Sequence, residues 1–296
     1  MTDRCDTLAL VLGAPTTGSA LNPRLGDHVC LPFDTDGERI AAARAITLNG
    51  LREGRLVLLV TESDSPQQVR RHLVPPGDDG AGEWFDVEAA EASGRLTILP
   101  ADESHFSQGR FDPEIALTCL AAFGRQAERL GARGVSVLVD ASWRLRADPG
   151  RSLEVEARGN ALFAERWMAL VCQYDRRRFS GEAVDQAAAV HPITPGEAEL
   201  RFACTPGGLA LSGEIDGTNI AALASVLDTL VPMARALTID ATALGYLDAE
   251  GARLLARTAE LRDDETVILC SPAVARLLSL IRADDVDRLS VRPAGP

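Results

Sequence analysis

The chain contains no lysine; every one of its 30 basic side chains is an arginine. An arginine stays protonated and cannot act as an amine nucleophile. A Schiff-base enzyme and a nucleotide site built on a phosphate-loop lysine are therefore both excluded. Paired Cys-x-x-Cys motifs are also missing. The six cysteines (Cys5, Cys30, Cys119, Cys172, Cys204 and Cys270) are scattered, several within apolar runs, where a thiol packs as a small hydrophobe. Reduced thiols are expected. No apolar run approaches the roughly 18 residues needed to span a bilayer. The opening MTDRCDTLALVLGAP is too acidic, and its apolar run too short, for a secretory signal, so a cytoplasmic protein is expected. With a net charge of −13, positive surface is scarce as well, which disfavours nucleic acid or an anionic membrane as a partner. The one dense basic run, Arg176-Arg177-Arg178, reads as a solvated face.

What is present is an ordinary globular composition, 46% apolar and 25% charged, over 296 residues, long enough for two cores. Strand-like runs at 28–33, 55–62, 95–101, 135–140 and 168–175 alternate with helical patterns at 38–51, 65–73, 113–131 and 152–167. Near-continuous apolar strands separated by helices predict a mostly parallel sheet covered on both faces. His191-Pro-Ile-Thr-Pro-Gly196 has two prolines, a glycine and no periodicity, and reads as the approach to a linker. Beyond it, strands at 200–206 and 208–216 suggest a hairpin. A helix (218–230), strand (236–244), helix (248–262), strand (265–270), helix (273–282) and strand (288–292) follow. The expected division is an N-terminal extension (1–23), a first α/β domain (24–194), a linker (195–199) and a second α/β domain (200–296).

Residues 26–66 resemble the start of a RecA-type core, and VSVLVD resembles the strand that ends on a magnesium-holding aspartate, here Asp140. At the place of the phosphate loop stands Phe33-Asp34-Thr35-Asp36-Gly37-Glu38-Arg39, where Asp34 and Asp36 would repel a triphosphate. The phosphate loop is degenerate and ATP hydrolysis is not expected. A closer resemblance is to the MEDS domain, a sensory module associated with methanogens, methylotrophs and a dichloromethane-responsive regulator. It rests on His28-Val-Cys30-Leu-Pro-Phe33, Leu51-Arg-Glu-Gly54, Val139-Asp-Ala-Ser-Trp143, Glu156-Ala-Arg-Gly-Asn160 and Cys172-Gln-Tyr-Asp175 with His191-Pro192. The resemblance implies sensing of a small molecule or protein signal.

The second unit resembles the STAS domain of anti-sigma factor antagonists. The resemblance is carried by LALSGEID (209–216), TIDATALGYLDAEGARLL (238–255) and VILCSPAVARLLSL (267–280). In that family an Asp-Ser-Ser-Gly or Asp-Ser-x-Gly step opens the second helix, and its serine is phosphorylated by an anti-sigma kinase of the GHKL type. The matching step here is Asp248-Ala249-Glu250-Gly251, and neither Ala249 nor Glu250 carries a hydroxyl. Glu250 brings about one negative charge, against roughly −1.5 to −2 for phosphoserine. Two readings stay open: Glu250 imitates the phosphorylated form, or it is an acid favoured in any first helical turn. Asp216 and Asp248 match acidic positions of the family beside that loop, and each also suits turn or cap chemistry.

Within the first domain, His28 and Cys30 share one sheet face, and Cys172 and His191 complete a His/Cys/Cys/His set that would hold zinc if the strands were neighbours. The spacing is not a known zinc pattern, and core packing is preferred, so no metal or other cofactor is expected. Phe33, Asp34, Asp140, Trp143, Tyr174 and Asp175 should gather at the carboxyl edge of the sheet as a rim for a small apolar or cationic ligand or a peptide loop. The alternative is that the aromatics merely cover that edge.

The leading expectation is a non-enzymatic signalling regulator that binds an anti-sigma factor, kinase or related protein in transcriptional or stress control. A small-molecule signal and self-association are both compatible with it. The alternatives are a degenerate RecA-fold enzyme dependent on nucleotide or on the Cys30 thiol, and a plain scaffold.

Overall fold

The computed structural model describes residues 20–74, 85–230 and 236–294. Most of the expected N-terminal extension, the leader reading with it, Cys5 and the Gly/Pro/Asp-rich loop at 75–84 lie outside the described residues.

In chain order the first part comprises β1 (His28–Phe33), α1 (Asp36–Arg52), β2 (Leu56–Thr61), α2 (Pro66–Leu73), α3 (Val87–Ala92), β3 (Leu96–Pro100) and α4 (Ala101–Ser104). It continues through β4 (Phe106–Ser107), β5 (Arg110–Phe111), α5 (Pro113–Leu130), β6 (Val135–Asp140), α6 (Pro149–Ala164), β7 (Met168–Asp175) and α7 (Gly181–Val190). Strands β1, β7, β6, β2 and β3 form one parallel sheet in that order. Every residue of β2, β6 and β7 is buried, as strands covered on both faces require. Val29, Leu31, Val57 and Leu138 pack beneath Ile46 of α1 and Leu73 of α2. The alternate residues Leu58, Val137, Leu170 and Cys172 pack beneath Phe123 of α5, Phe163 of α6 and Ala187 of α7.

The helix starts follow local sequence. Thr35 and Ser65 each form a capping box, with Glu38 and Gln68, and Asp112 and Asp148 cap helices that carry proline in the first turn. The short helices α3 and α4 and the β4–β5 pair were not expected, because each is too brief to show a period.

The second part comprises β8 (Leu200–Thr205), β9 (Gly208–Ile215), α8 (Ile220–Leu230), β10 (Leu237–Leu247), α9 (Ala249–Glu260), β11 (Thr266–Cys270), α10 (Pro272–Leu280) and β12 (Leu289–Pro293). Its sheet has the order β12-β11-β10-β9-β8, parallel except for the β8–β9 hairpin. Strand β10 runs to Leu247, three residues past the expected end at 244. Register shifts between Asp240 and Ala243 and between Leu244 and Tyr246 place exposed residues in succession. Such bulges break the alternation by which a strand is read from sequence.

The segment between the two sheets is not a free tether. Glu197 N–H donates to Thr194 O (3.1 Å) and Leu200 N–H to Pro192 O (2.9 Å). Ala164, at the end of α6, is packed into the second core, and Arg201 of β8 meets Asp27 beside β1 at 2.9 Å.

Candidate functional site

Helix α6 carries Glu156, Asn160 and Phe163 at i, i+4 and i+7, one face turned onto β1 and β7. Glu156 and Asn160 are buried there, polar groups that must find partners. His28 and Cys172 lie on the adjacent strands β1 and β7, and His191 follows α7. One donor atom from each of His28, Glu156, Cys172 and His191 lies within 4.8 Å of the others, and all four residues are buried. Glu156 Oε2 is 3.4 Å from His28 Nε2, 3.4 Å from His191 Nε2 and 3.6 Å from Cys172 Sγ. Cys172 Sγ stands 3.8 Å from His28 Nε2.

A second layer holds these groups. Tyr174 O–H donates to Glu156 Oε1 (3.0 Å) and accepts from Arg144 Nη1 (2.8 Å). His28 Nδ1 meets Asn160 Oδ1 at 2.8 Å, and His191 Nδ1 donates to Ala187 O at 2.7 Å. Asn160 Nδ2 donates to Val190 O (2.8 Å) and to Ser225 Oγ of α8 (3.1 Å). The cluster thus reaches the second sheet's domain through one amide.

Burial alone would raise the Glu156 carboxyl. Contact with His28 and the neighbouring His191 and Arg144 outweigh it and hold the group well below the usual carboxylate range. Burial pushes His191 down to about 3, and burial together with Glu156 pushes the Cys172 thiol up. The arrangement is one buried carboxylate faced by two imidazoles and a thiol.

Of the residues weighed as a His/Cys/Cys/His set, His28, Cys172 and His191 converge, and the fourth donor beside them is Glu156 rather than Cys30. Cys30 is in register with Cys172 on the neighbouring strand but is not among the four convergent donors. Its thiol is pushed up by burial and by Glu156, which is the reverse of an activated nucleophile. Glu156 could have been found as an acid sharing a helix face with Asn160 and Phe163.

The expected rim does not assemble as an open edge. Phe33, Trp143 and Tyr174 are buried, because the 3-10 turn Ala141–Arg146 folds Trp143 back over the sheet. Trp143 stacks on Phe111 (4.8 Å between centroids) and packs on His105 (4.6 Å), so the β4–β5 pair covers it. Asp140 accepts from Ser63 N–H (2.8 Å) and Ser142 N–H (3.0 Å). Asp34 pairs with Arg176 (3.1 Å), while Asp36 and Asp175 share Arg177 (2.7 and 2.8 Å). Much of the basic run is therefore spent on acids rather than facing solvent alone. The N–H groups of Asp34 and Thr35 donate to Glu38 Oε2 (2.8 and 3.2 Å), where a phosphate loop would offer them to a ligand. Beneath Trp143 is a cavity of about 40 Å³ lined by His28, His105, Glu156, Phe163 and Cys172 among others.

The second candidate site is the start of α9. Asp248 caps the helix, its Oδ1 accepting from Gly251 N–H at 2.7 Å, and Ala249 and Glu250 are exposed in the first turn. Gly251 is demanded by packing: a Cβ there would stand 2.6 Å from Ile215 Cγ2 and 2.7 Å from Leu247 Cδ1. Asp216 is adjacent along the sheet edge, where Asp248 N–H donates to Ile215 O (3.1 Å). Asp216 Oδ1 accepts from Thr218 N–H and O–H (2.8 and 2.6 Å), which closes its own turn.

A sensory-type α/β module joined to a STAS module is the class these features define, and comparison with known proteins agrees. The model of the MEthanogen/methylotroph, DcmR Sensory domain matches residues 27–192, and that described as Mlab, STAS domain matches 199–291. The chain belongs to the MEDS family and carries a STAS domain after the sensory one. Among solved structures it is similar to an anti-sigma factor antagonist from Mycobacterium paratuberculosis (27% identity, TM-score 0.29, 32% of this chain and 86% of that one). It is also similar to the flagellar accessory protein FlaH from Methanocaldococcus jannaschii (10% identity, TM-score 0.39, 75% and 88%). No curated protein matches this chain. Among the described residues no helix is long and apolar enough to cross a membrane.

Proposed function

We propose that this signalling regulator works without catalysis. Its sensory domain (24–194) receives a signal, and its STAS domain (200–296), joined through 195–199, relays it by binding an anti-sigma factor, its kinase or a related regulator. Glu250 stands where the resembled antagonists carry the acceptor serine, and we read it as a built-in negative charge that holds the binding loop in the phosphorylated-like state. The observation that carries this reading is the position of Glu250: exposed in the first turn of α9, one residue before a glycine fixed by packing and beside the Asp248 cap. An acid there is favoured by the positive field of a helix N-terminus without being consumed by the cap, which Asp248 already supplies. The absence of lysine and the raised Cys30 thiol support a binding role over a nucleotide- or thiol-dependent one.

The test compares the native chain with Glu250→Ser in the host's own extract with ATP. Retention of a kinase and serine phosphorylation by the variant alone is the expected result. Retention of such a kinase by the native chain would overturn the reading of Glu250 and leave it a first-turn acid.

A further inference from the structure

We infer that His28, Glu156, Cys172 and His191 form a buried binding site for one divalent transition-metal ion of the zinc type. This goes beyond the reading of Glu250 and does not depend on it.

The argument begins with which ring nitrogens carry hydrogen. His191 Nδ1 lies 2.7 Å from the carbonyl oxygen of Ala187, which can only accept, so that nitrogen holds the proton. Asn160 is oriented by its own partners: its NH2 faces Val190 O and Ser225 Oγ, so its carbonyl oxygen faces His28 Nδ1 at 2.8 Å. His28 Nδ1 is therefore also the protonated nitrogen. Both Nε2 atoms are aimed at the same oxygen, Glu156 Oε2, at 3.4 Å, the geometry in which ring nitrogens serve as ligands. Two ring nitrogens, a carboxylate oxygen and a sulfur converge on one point. His191 Nε2 is left buried with no hydrogen-bond partner. An uncompensated buried acceptor is costly, and here it is directed at another acceptor.

A cation at the centre removes this conflict, and the dimensions suit it. Zinc bonds of about 2.0–2.1 Å to nitrogen, 2.0–2.2 Å to oxygen and 2.3 Å to sulfur place tetrahedral ligand atoms roughly 3.3 to 3.6 Å apart. Four of the six separations are 3.4, 3.4, 3.6 and 3.8 Å, and all six lie within 4.8 Å, a span that a small contraction onto an ion would close. The surroundings match those of metal ligands: each histidine donates its outer N–H to a carbonyl oxygen, and the remaining Glu156 oxygen accepts from Tyr174. On binding, Cys172 Sγ–H is replaced by Sγ–metal and the proton leaves to solvent. The ion's two positive charges are then matched by the thiolate and the Glu156 carboxylate. Four protein ligands and full burial describe a closed site that braces the fold. Asn160, which orients His28 and holds Ser225 of α8, places that brace at the junction with the STAS domain.

The experiment uses the full chain, stripped by chelator and titrated with Zn²⁺ against a chromophoric competitor, and separately with Co²⁺. We expect one equivalent per chain and, with Co²⁺, the visible bands of a tetrahedral ion together with a thiolate-to-cobalt charge-transfer band. Cys172→Ser should lose that band, whereas Cys30→Ser should keep it. Asn160→Ala should bind at least about tenfold more weakly, as loss of an outer-shell partner does. If Cys172→Ser does not fold, X-ray absorption at the zinc edge of the native protein decides, with one sulfur and three lighter ligands expected. Binding without a thiolate signature, as surface carboxylates would give, overturns the inference, as does loss of the band in Cys30→Ser with retention in Cys172→Ser. Absence of stoichiometric binding does the same.

Discussion

Asn160 and Ser225 meet side chain to side chain, amide to hydroxyl, at 3.1 Å across the boundary between the two sheets. The same Asn160 fixes His28 and satisfies Val190 O, so one residue ties the buried cluster to the first STAS helix. Asn160→Ala should cost about 2 to 3 kcal/mol in urea unfolding, because buried partners on both sides lose their hydrogen bonds. Ser225→Ala should cost about 1 kcal/mol or less. Equal effects from the two would show that the amide is not the hub.

Asp27 is buried and accepts from Arg201 Nε at 2.9 Å and from Arg24 N–H at 2.9 Å. Replacing Arg201 by Met leaves a buried carboxylate with its charge partner removed, a loss of about 3 kcal/mol. The contact spans the junction, so limited proteolysis within 195–199 should accelerate in Arg201→Met. Unchanged cleavage would mean that Arg201 and Asp27 do not hold the two parts together.

Three neighbours at the start of α9 should separate by thermal unfolding. Asp248→Ala removes the cap and should cost about 1 kcal/mol. Gly251→Ala forces a methyl against Ile215 and Leu247 and should cost about 1 to 3 kcal/mol. Glu250→Ala should cost no more than about 0.5 kcal/mol, since it loses only an exposed dipole contact. A larger loss at Glu250 would mark it as a structural residue and weaken its reading as a signalling charge.

His105 packs on Trp143, and burial lowers its imidazole from 6.5 to about 4. The native state therefore holds it neutral where the unfolded chain takes up a proton. Its contribution is fully present above pH 6.5 and is lost as pH falls from there towards 4. Chemical unfolding at pH 7 and pH 4.5 should show a drop that is smaller in His105→Phe. An equal drop in both proteins would assign the acid sensitivity elsewhere.

Periodicity and cap chemistry are local, and they are why the strands at 135–140 and 168–175 and the helix starts at Ser65 and Asp248 were legible in the sequence. The bulged end of β10 and the brief β4–β5 pair were not, since both depend on what lies across from them. The same division holds at the site. His28, Cys172 and His191 were legible as chemistry-bearing residues, while Glu156 entered only as part of a family motif. Its role needs α6 laid across β1 and β7, a packing choice made between elements far apart in the chain.

The sequence by itself determined the α/β class, the two successive units, the exclusion of lysine chemistry and the acid at position 250, because each follows from composition or from residues close along the chain. Only the tertiary structure decided that Trp143 and Tyr174 turn inward, that Cys30 yields its place to Glu156, and that Asn160 reaches Ser225. Those outcomes are set by which buried polar groups find partners, and partners are supplied by the fold.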